Sequence, residues 1–310
     1  MNRSLIYLKL VLTAVLWGGT FVAGRIASRE AGPFSAAFLR FVVASIFLLV
    51  FVLKSNRRTD VKALFAPGKF FVLFLLGLTG VFAYNVLFFS GLKTVTAGRA
   101  AIIIAANPAF IALFSALLFN ERLGLVRTAG IFISFAGAAV VISKGSLTVL
   151  FTGGLGVGEL YILGCVASWV TYSLLGKKAM RDVSPLLAVT CSCVMGAVCL
   201  LVPALSEGLV SQITGFSTSV WLALFFLGFF GSALGFTWYY EGILAIGPSR
   251  AGIFINIVPI SSVVLAFLIL HETIDASLVL GAALTLVGVY IMNYEFRKVS
   301  KGLQDTTATS

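Results

Sequence analysis

The chain has 310 residues, of which 60% are hydrophobic and only 11% charged, with a mean hydropathy of +1.08. So little polar surface cannot cover a water-soluble globule of this length, which excludes an ordinary soluble domain. The 22 Lys and Arg against 11 Asp and Glu give a net charge of +11. In a lipid-embedded chain that excess reports topology and attraction to anionic lipid, and it implies no nucleic-acid partner.

Apolar stretches near twenty residues, each able to cross roughly 30 Å of hydrocarbon, recur ten times. They are predicted near 5–28, 34–53, 69–92, 97–119, 125–143, 157–178, 185–204, 218–244, 248–270 and 276–294. The first follows Arg3 as a secretory signal might. Its apolar run is longer than a signal's, and Trp17, Gly24, Arg29 and Pro33 return as Trp169, Gly176, Arg181 and Pro185, so it reads as a first helix. Charges collect in the gaps, at Lys54, Arg57 and Arg58, at Lys177, Lys178 and Arg181, and at Arg297, Lys298 and Lys301. The polar tail from Gly302 to Ser310 is expected to lack structure.

The series Gly77, Gly80, Gly91, Arg99-Ala100, Pro108, Glu121, Gly130 and Gly137 recurs 151 residues later as Gly228, Gly231, Gly242, Arg250-Ala251, Pro259, Glu272, Gly281 and Gly288. Twelve of the 61 aligned positions are identical. A period this long marks a duplicated half rather than a solenoid unit. The expected organisation is a first repeat over 1–145, a linker over 146–156, a second repeat over 157–296 and a cytoplasmic tail over 297–310. Five helices per half place the second copy upside down, the inverted arrangement of many transporters. With both termini inside, sixteen basic residues fall on the inner side and five on the outer, as the positive-inside rule requires. The fold class is therefore all-α integral membrane, ten transmembrane helices as two inverted five-helix repeats.

The chain resembles the drug/metabolite transporter superfamily, EamA type. The features are an early Leu16-Trp17-Gly18, ten helices in a five-plus-five duplication, and a proline inside helices 4 and 9 followed by Asn120-Glu121-Arg122 or His271-Glu272-Thr273. The resemblance covers roughly residues 5–296, and within the superfamily it is nearest to the YddG-type aromatic amino-acid exporters. It implies outward transport of small organic metabolites, by alternating access, across a bacterial inner membrane. An exchanger of sugar phosphates or nucleotide sugars, as related ten-helix proteins are, would need several basic residues at the midplane.

Candidate site residues follow from the repeat. Pro108 and Pro259 break their helices, each freeing a carbonyl four residues back, at Ile104 and Ile255. Such a carbonyl must face protein or a water-filled cavity, and Asn107 and Asn256 put amides beside the breaks. A kink satisfied by a neighbouring helix is the plainer alternative. Trp17, Tyr84, Phe88, Trp169, Tyr172, Trp238 and Tyr239 form a pseudosymmetric aromatic set able to stack on a planar substrate, although packing explains any single one of them. Helices 3, 4, 8 and 9 are expected to line the cavity with 1 and 6, leaving 5 and 10 peripheral. Arg40 and Glu159 are intramembrane charges that could pair with each other, or Arg40 could take a substrate carboxylate. Arg99 and Arg250 open helices 4 and 9 against the helix dipole, which calls for a specific partner or a gate. Glu121 and Glu272 are expected to cap helix N-termini.

Little suggests a membrane-embedded enzyme. Cys165, Cys191, Cys193 and Cys199 have no ligand pattern around them, so no metal is implied. No phosphate-binding loop is present, and the Gly153-Gly154 to Gly158 stretch follows no strand. No nucleophile–base pair is visible, and no cofactor is called for. The expected partners are a small-molecule substrate and membrane lipid.

Overall fold

A computed structural model describes residues 3–54, 67–119, 124–146, 156–179 and 184–308. The described residues form ten long helices with no strand: α1 (Arg3–Ala27), α2 (Pro33–Lys54), α3 (Gly68–Leu92), α4 (Ala97–Leu118), α5 (Leu125–Ile142), α6 (Val157–Ala179), α7 (Pro185–Ser206), α8 (Thr218–Ile246), α9 (Arg250–Leu270) and α10 (Ala276–Ala308), with a short helical turn over Leu209–Gln212 and Ile213–Gly215 between α7 and α8. The first nine are long and apolar enough to span a membrane, and α10 contributes the 17-residue apolar stretch Ala276–Met292. At 1.5 Å per residue that stretch reaches about 26 Å, close to the hydrocarbon thickness.

The tail departs from expectation. Helix α10 continues to Ala308 instead of ending near Arg297. Lys298, Lys301, Leu303 and Gln304 are good helix formers and no proline stops them.

Packing follows the duplication. Helix α5 lies along α10, α2 along α7, and α1 between α8 and α9. The α5–α10 contact is set by glycine. A Cβ at Gly137 would overlap Thr285 and the Gly281 carbonyl, and one at Gly288 would overlap the Gly130 carbonyl and the Ser134 backbone. Small residues let two backbones approach this closely in lipid, where van der Waals contact drives association.

Four helices are irregular. Helix α4 is interrupted at Ala106, two residues before Pro108, and α9 runs as 3-10 helix over Ile253–Asn256 before Pro259. Helices α3 and α8 carry wide π turns at Gly77–Ala83 and Phe226–Leu234, which the 151-residue offset superposes. Gly77 and Gly228 lie in these turns, against the backbones of α7 and α2 respectively. Sequence inspection anticipates the proline breaks and not the π turns.

Candidate functional site

The π turns assemble the centre of the bundle. A π turn misaligns its carbonyls with the helical ladder, and side chains from facing helices take some of them up. Trp17 Nε1 donates to the Gly231 carbonyl at 2.9 Å, and Ser168 Oγ to the Thr79 carbonyl at 2.7 Å. The repeat relates Trp17 to Trp169, the neighbour of Ser168, so α1 meets α8 as α6 meets α3. Glycine makes room for the rings: a Cβ at Gly235 would strike Trp17, and one at Gly80 would strike Tyr172.

The aromatic residues form two clusters. Trp17 lies 5.2 Å from Tyr239 and 5.6 Å from Phe236, centroid to centroid, and Tyr239 leads to Tyr240 at 6.4 Å. Trp169 lies 5.4 Å from Tyr84 and 5.2 Å from Tyr172, and Tyr84 stacks on Phe88 at 5.9 Å. Phe88 is fully buried against Phe21. The hydroxyls of Tyr84, Tyr172, Tyr239 and Tyr240 have no hydrogen-bond partner among the described residues, yet none belongs to the sealed-off unpartnered atoms. Trp238 stands apart. It faces Lys9, whose Nζ is 6.0 Å from the ring centroid and pairs with Glu241 at 2.6 Å.

Arg40 does not pair with Glu159. Its guanidinium donates to Asn85 Oδ1 at 2.9 Å and to Ser232 Oγ at 3.3 Å from both Nε and Nη2, tying α2 to the π regions of α3 and α8. Asn85 in turn donates to the Val81 carbonyl at 2.9 Å, and Ser232 to Leu227 at 3.0 Å. Glu159 sits in the first turn of α6, folded back over Gly156, where it complements the helix dipole. The sequence pattern alone does not single out Asn85 and Ser232. The one local signal is the amide of Asn85 inside an otherwise apolar helix.

The two prolines diverge in their surroundings. Asn107 is buried, with Oδ1 unpartnered, whereas Asn256 is half-exposed. Pro259 is buried and Pro108 is half-buried.

The two ends of the bundle are packed differently. At the face away from the termini, Asn85, Phe88, Phe89, Gly91 and Leu92 of α3 are buried. In the matching stretch of α8 at the terminal face, Gly235–Ile246, only Gly235 and Gly242 are. Ala97–Ala105 buries six residues, but Ile253 and Ile255 in its counterpart are 42% and 36% exposed.

Carboxylates stitch the tight face together across the repeats. Glu272 accepts from the N–H groups of Ala97 and Gly98, Glu207 from Phe34 and Ser35, and Glu30 from Ser217. Glu272 thus caps α4 of the other repeat, not the helix that follows it; Asp275 caps that one through the Leu278 N–H at 2.9 Å. Arg99 pairs with Asp275 and also donates to the Val141 carbonyl at 2.8 Å. Arg250 is exposed and makes no described contact of this kind. Glu121 lies outside the described residues.

Two cavities lie away from the aromatic clusters. One of about 570 Å³ opens at the tight face between Ser28, Arg29, Glu30, Lys93, Glu207 and Gln212, and an apolar one of about 170 Å³ lies between Phe110, Phe135 and Leu163. Among the described residues no group of three or more His, Cys, Asp or Glu converges as a metal site would require.

Residues 4–143 and 156–294 each match the EamA-like transporter family. The chain is 30% identical over 295 residues to the uncharacterized transporter YyaM of Bacillus subtilis, covering 93% of each chain. It is 29% identical to a probable terminal-alkyne amino-acid exporter of Streptantibioticus cattleyicolor, covering 92% of each. A solved crystal structure matches with a TM-score of 0.62 at 22% identity, over 96% of this chain and 99% of that one, a likeness of fold. The match over both halves and ten apolar helices make this chain a member of the EamA-like transporter family, a multi-pass membrane transporter.

Proposed function

We propose that the protein exports small amphipathic metabolites, aromatic or other hydrophobic amino acids, from the cytoplasm by alternating access. The observation that carries this reading is the pair of pseudosymmetric aromatic clusters at the irregular centre of the bundle, with four tyrosine hydroxyls that have no hydrogen-bond partner among the described residues. Rings supply stacking faces, and free hydroxyls supply orientation to a polar group. The probable amino-acid exporter among the relatives supports the same class. With both termini in the cytoplasm, the less buried face of α8 and α9 is the cytoplasmic one, and we read this conformation as the one that loads substrate from inside. Exchanging the conformations of the two repeats generates the opposite state. The membrane is the bacterial inner membrane, as the family resemblance suggests. A sugar-phosphate exchanger is disfavoured because Arg40 is the one charged residue among the buried ones described.

The test is counterflow in proteoliposomes. Vesicles loaded with unlabelled L-phenylalanine, L-tryptophan, L-leucine or glucose 6-phosphate are given the matching radiolabelled compound, with and without a pH gradient. Accumulation of the aromatic amino acids above protein-free vesicles is expected, and uptake confined to the sugar phosphate would overturn the reading.

A further inference from the structure

Arg40 is only 9% exposed and has no acidic partner among the described residues. Its contacts, Asn85 and Ser232, are neutral. They take three of the five guanidinium N–H groups, and the Phe41 ring centroid lies 5.2 Å from the guanidinium carbon, which leaves two donors and no countercharge among the described residues. A clasp joining α2, α3 and α8 needs hydrogen bonds but not a cation. A neutral amide would provide them at a far smaller desolvation penalty in lipid. Tyr84 and Cys193 lie within electrostatic reach of the guanidinium, and Tyr172 and Tyr240 within reach of Cys193. The buried cation therefore adjoins the tyrosines whose hydroxyls are unpartnered.

We infer that Arg40 is the anion anchor of the site: a carboxylate on the transported molecule takes its free N–H donors, while the apolar part lies against Tyr84 and Trp169. A planar guanidinium fork matches a carboxylate in two parallel hydrogen bonds, and low polarity around it strengthens both. Asn85 and Ser232 are positioning residues that fix the plane of the fork. Because they stand on α3 and α8, one from each repeat, the bound carboxylate sits at the junction that moves when the repeats exchange conformations. This inference rests on the proposed transport reading and narrows it. Carboxylates are accepted, and the corresponding amines are rejected.

The experiment uses purified full-length protein titrated with benzoate, L-phenylalanine and phenethylamine, following the midpoint of thermal unfolding. Benzoate and L-phenylalanine are expected to stabilise the wild type and phenethylamine to leave it unchanged. Arg40→Gln should weaken both carboxylates at least tenfold. Arg40→Lys, which keeps the charge without the fork, should weaken them several-fold and carries the test if the Gln variant does not fold. Stabilisation by benzoate alone, lost in the Arg40 variants, upholds the anchor and overturns the aromatic amino-acid reading. Equal responses of wild type and variants, no response of the wild type to either carboxylate, or equal stabilisation by phenethylamine overturns the anchor. Counterflow of phenylalanine that survives any of those results leaves the transport reading standing.

Discussion

Arg99 on α4 and Asp275 ahead of α10 form an ion pair between the repeats, and the mirror of that pair lacks its acid. The repeat counterpart of Arg99 is Arg250, and that of Asp275 is Gly124, which opens α5 as Asp275 opens α10. One face thus carries an arginine–carboxylate clasp that its opposite cannot form, and that face is the tightly packed one.

Installing the missing acid should shift the resting conformation. Gly124 has φ −67°, open to any residue, and Asp is favoured at a helix N-cap. In a cysteine-free background bearing Asn256→Cys, Gly124→Asp should reduce thiol labelling at the terminal face. Asp275→Asn, which loosens the other face, should act in the same direction. Partly exposed ion pairs contribute up to about 1 kcal/mol, so each change is expected to reach at most about fivefold. Labelling untouched by both would remove the clasp from the conformational equilibrium.

The tight face should also weaken in acid. The Asp275 carboxyl is held below its ordinary 3.8 because the Ser277 hydroxyl, the Leu278 N–H and then Arg99 favour its charged form. Glu30 is lowered from 4.5 by the backbone N–H and hydroxyl of Ser217. A depressed folded-state pKa contributes stability that is complete above the unfolded value and lost as pH falls through the folded one. The melting temperature should therefore hold above about pH 5 and decline below about pH 4. Asp275→Asn with Glu30→Gln should flatten that decline. An acid limb of the same size in the double variant would assign it to other groups.

The aromatic clusters make a symmetric demand on transport. Stacking on an aromatic is worth about 1–3 kcal/mol, so Trp17→Ala and Trp169→Ala should each lower transport about fivefold or more. Phe132→Ala, at a 67% exposed position on α5, should change little. Trp17→Phe keeps a ring but leaves the Gly231 carbonyl unpaired, so it should lower thermal stability where the matching Trp169→Phe does not. Tyr239→Phe separates stacking, which it preserves, from hydrogen bonding to substrate, which it abolishes. Normal rates in all the Ala variants at normal expression would end the aromatic assignment.

The α5–α10 contact predicts a stability effect without a site effect. Gly288→Ala pushes a methyl group into the Gly130 carbonyl and Ser134 backbone, and overpacking of this kind costs about 1–3 kcal/mol. The same change at Gly68, which has open space around it, should be neutral. Melting temperatures of the two variants in one detergent compare them directly, and equal values would contradict the close approach of α5 and α10.

Composition and repetition alone determine that this chain spans a membrane with ten helices in two inverted copies. Hydrocarbon permits few alternatives: each span must be apolar, long enough and internally hydrogen-bonded, and the 151-residue offset is visible without coordinates. The same logic exposes the breaks before Pro108 and Pro259, since proline acts on its own helix. Tertiary structure decided the rest. The π turns depend on how Gly77 and Gly228 meet α7 and α2, and no local residue pattern announces them. The partners of Arg40 lie 45 and 192 positions away, so nothing in the chain near it could distinguish Asn85 and Ser232 from Glu159. The helix that Glu272 caps is likewise chosen in space, across the repeat boundary. Which face is packed and which is loose is not a property of either half, because the halves share their pattern. It arises only when the two copies are held against each other in unequal conformations.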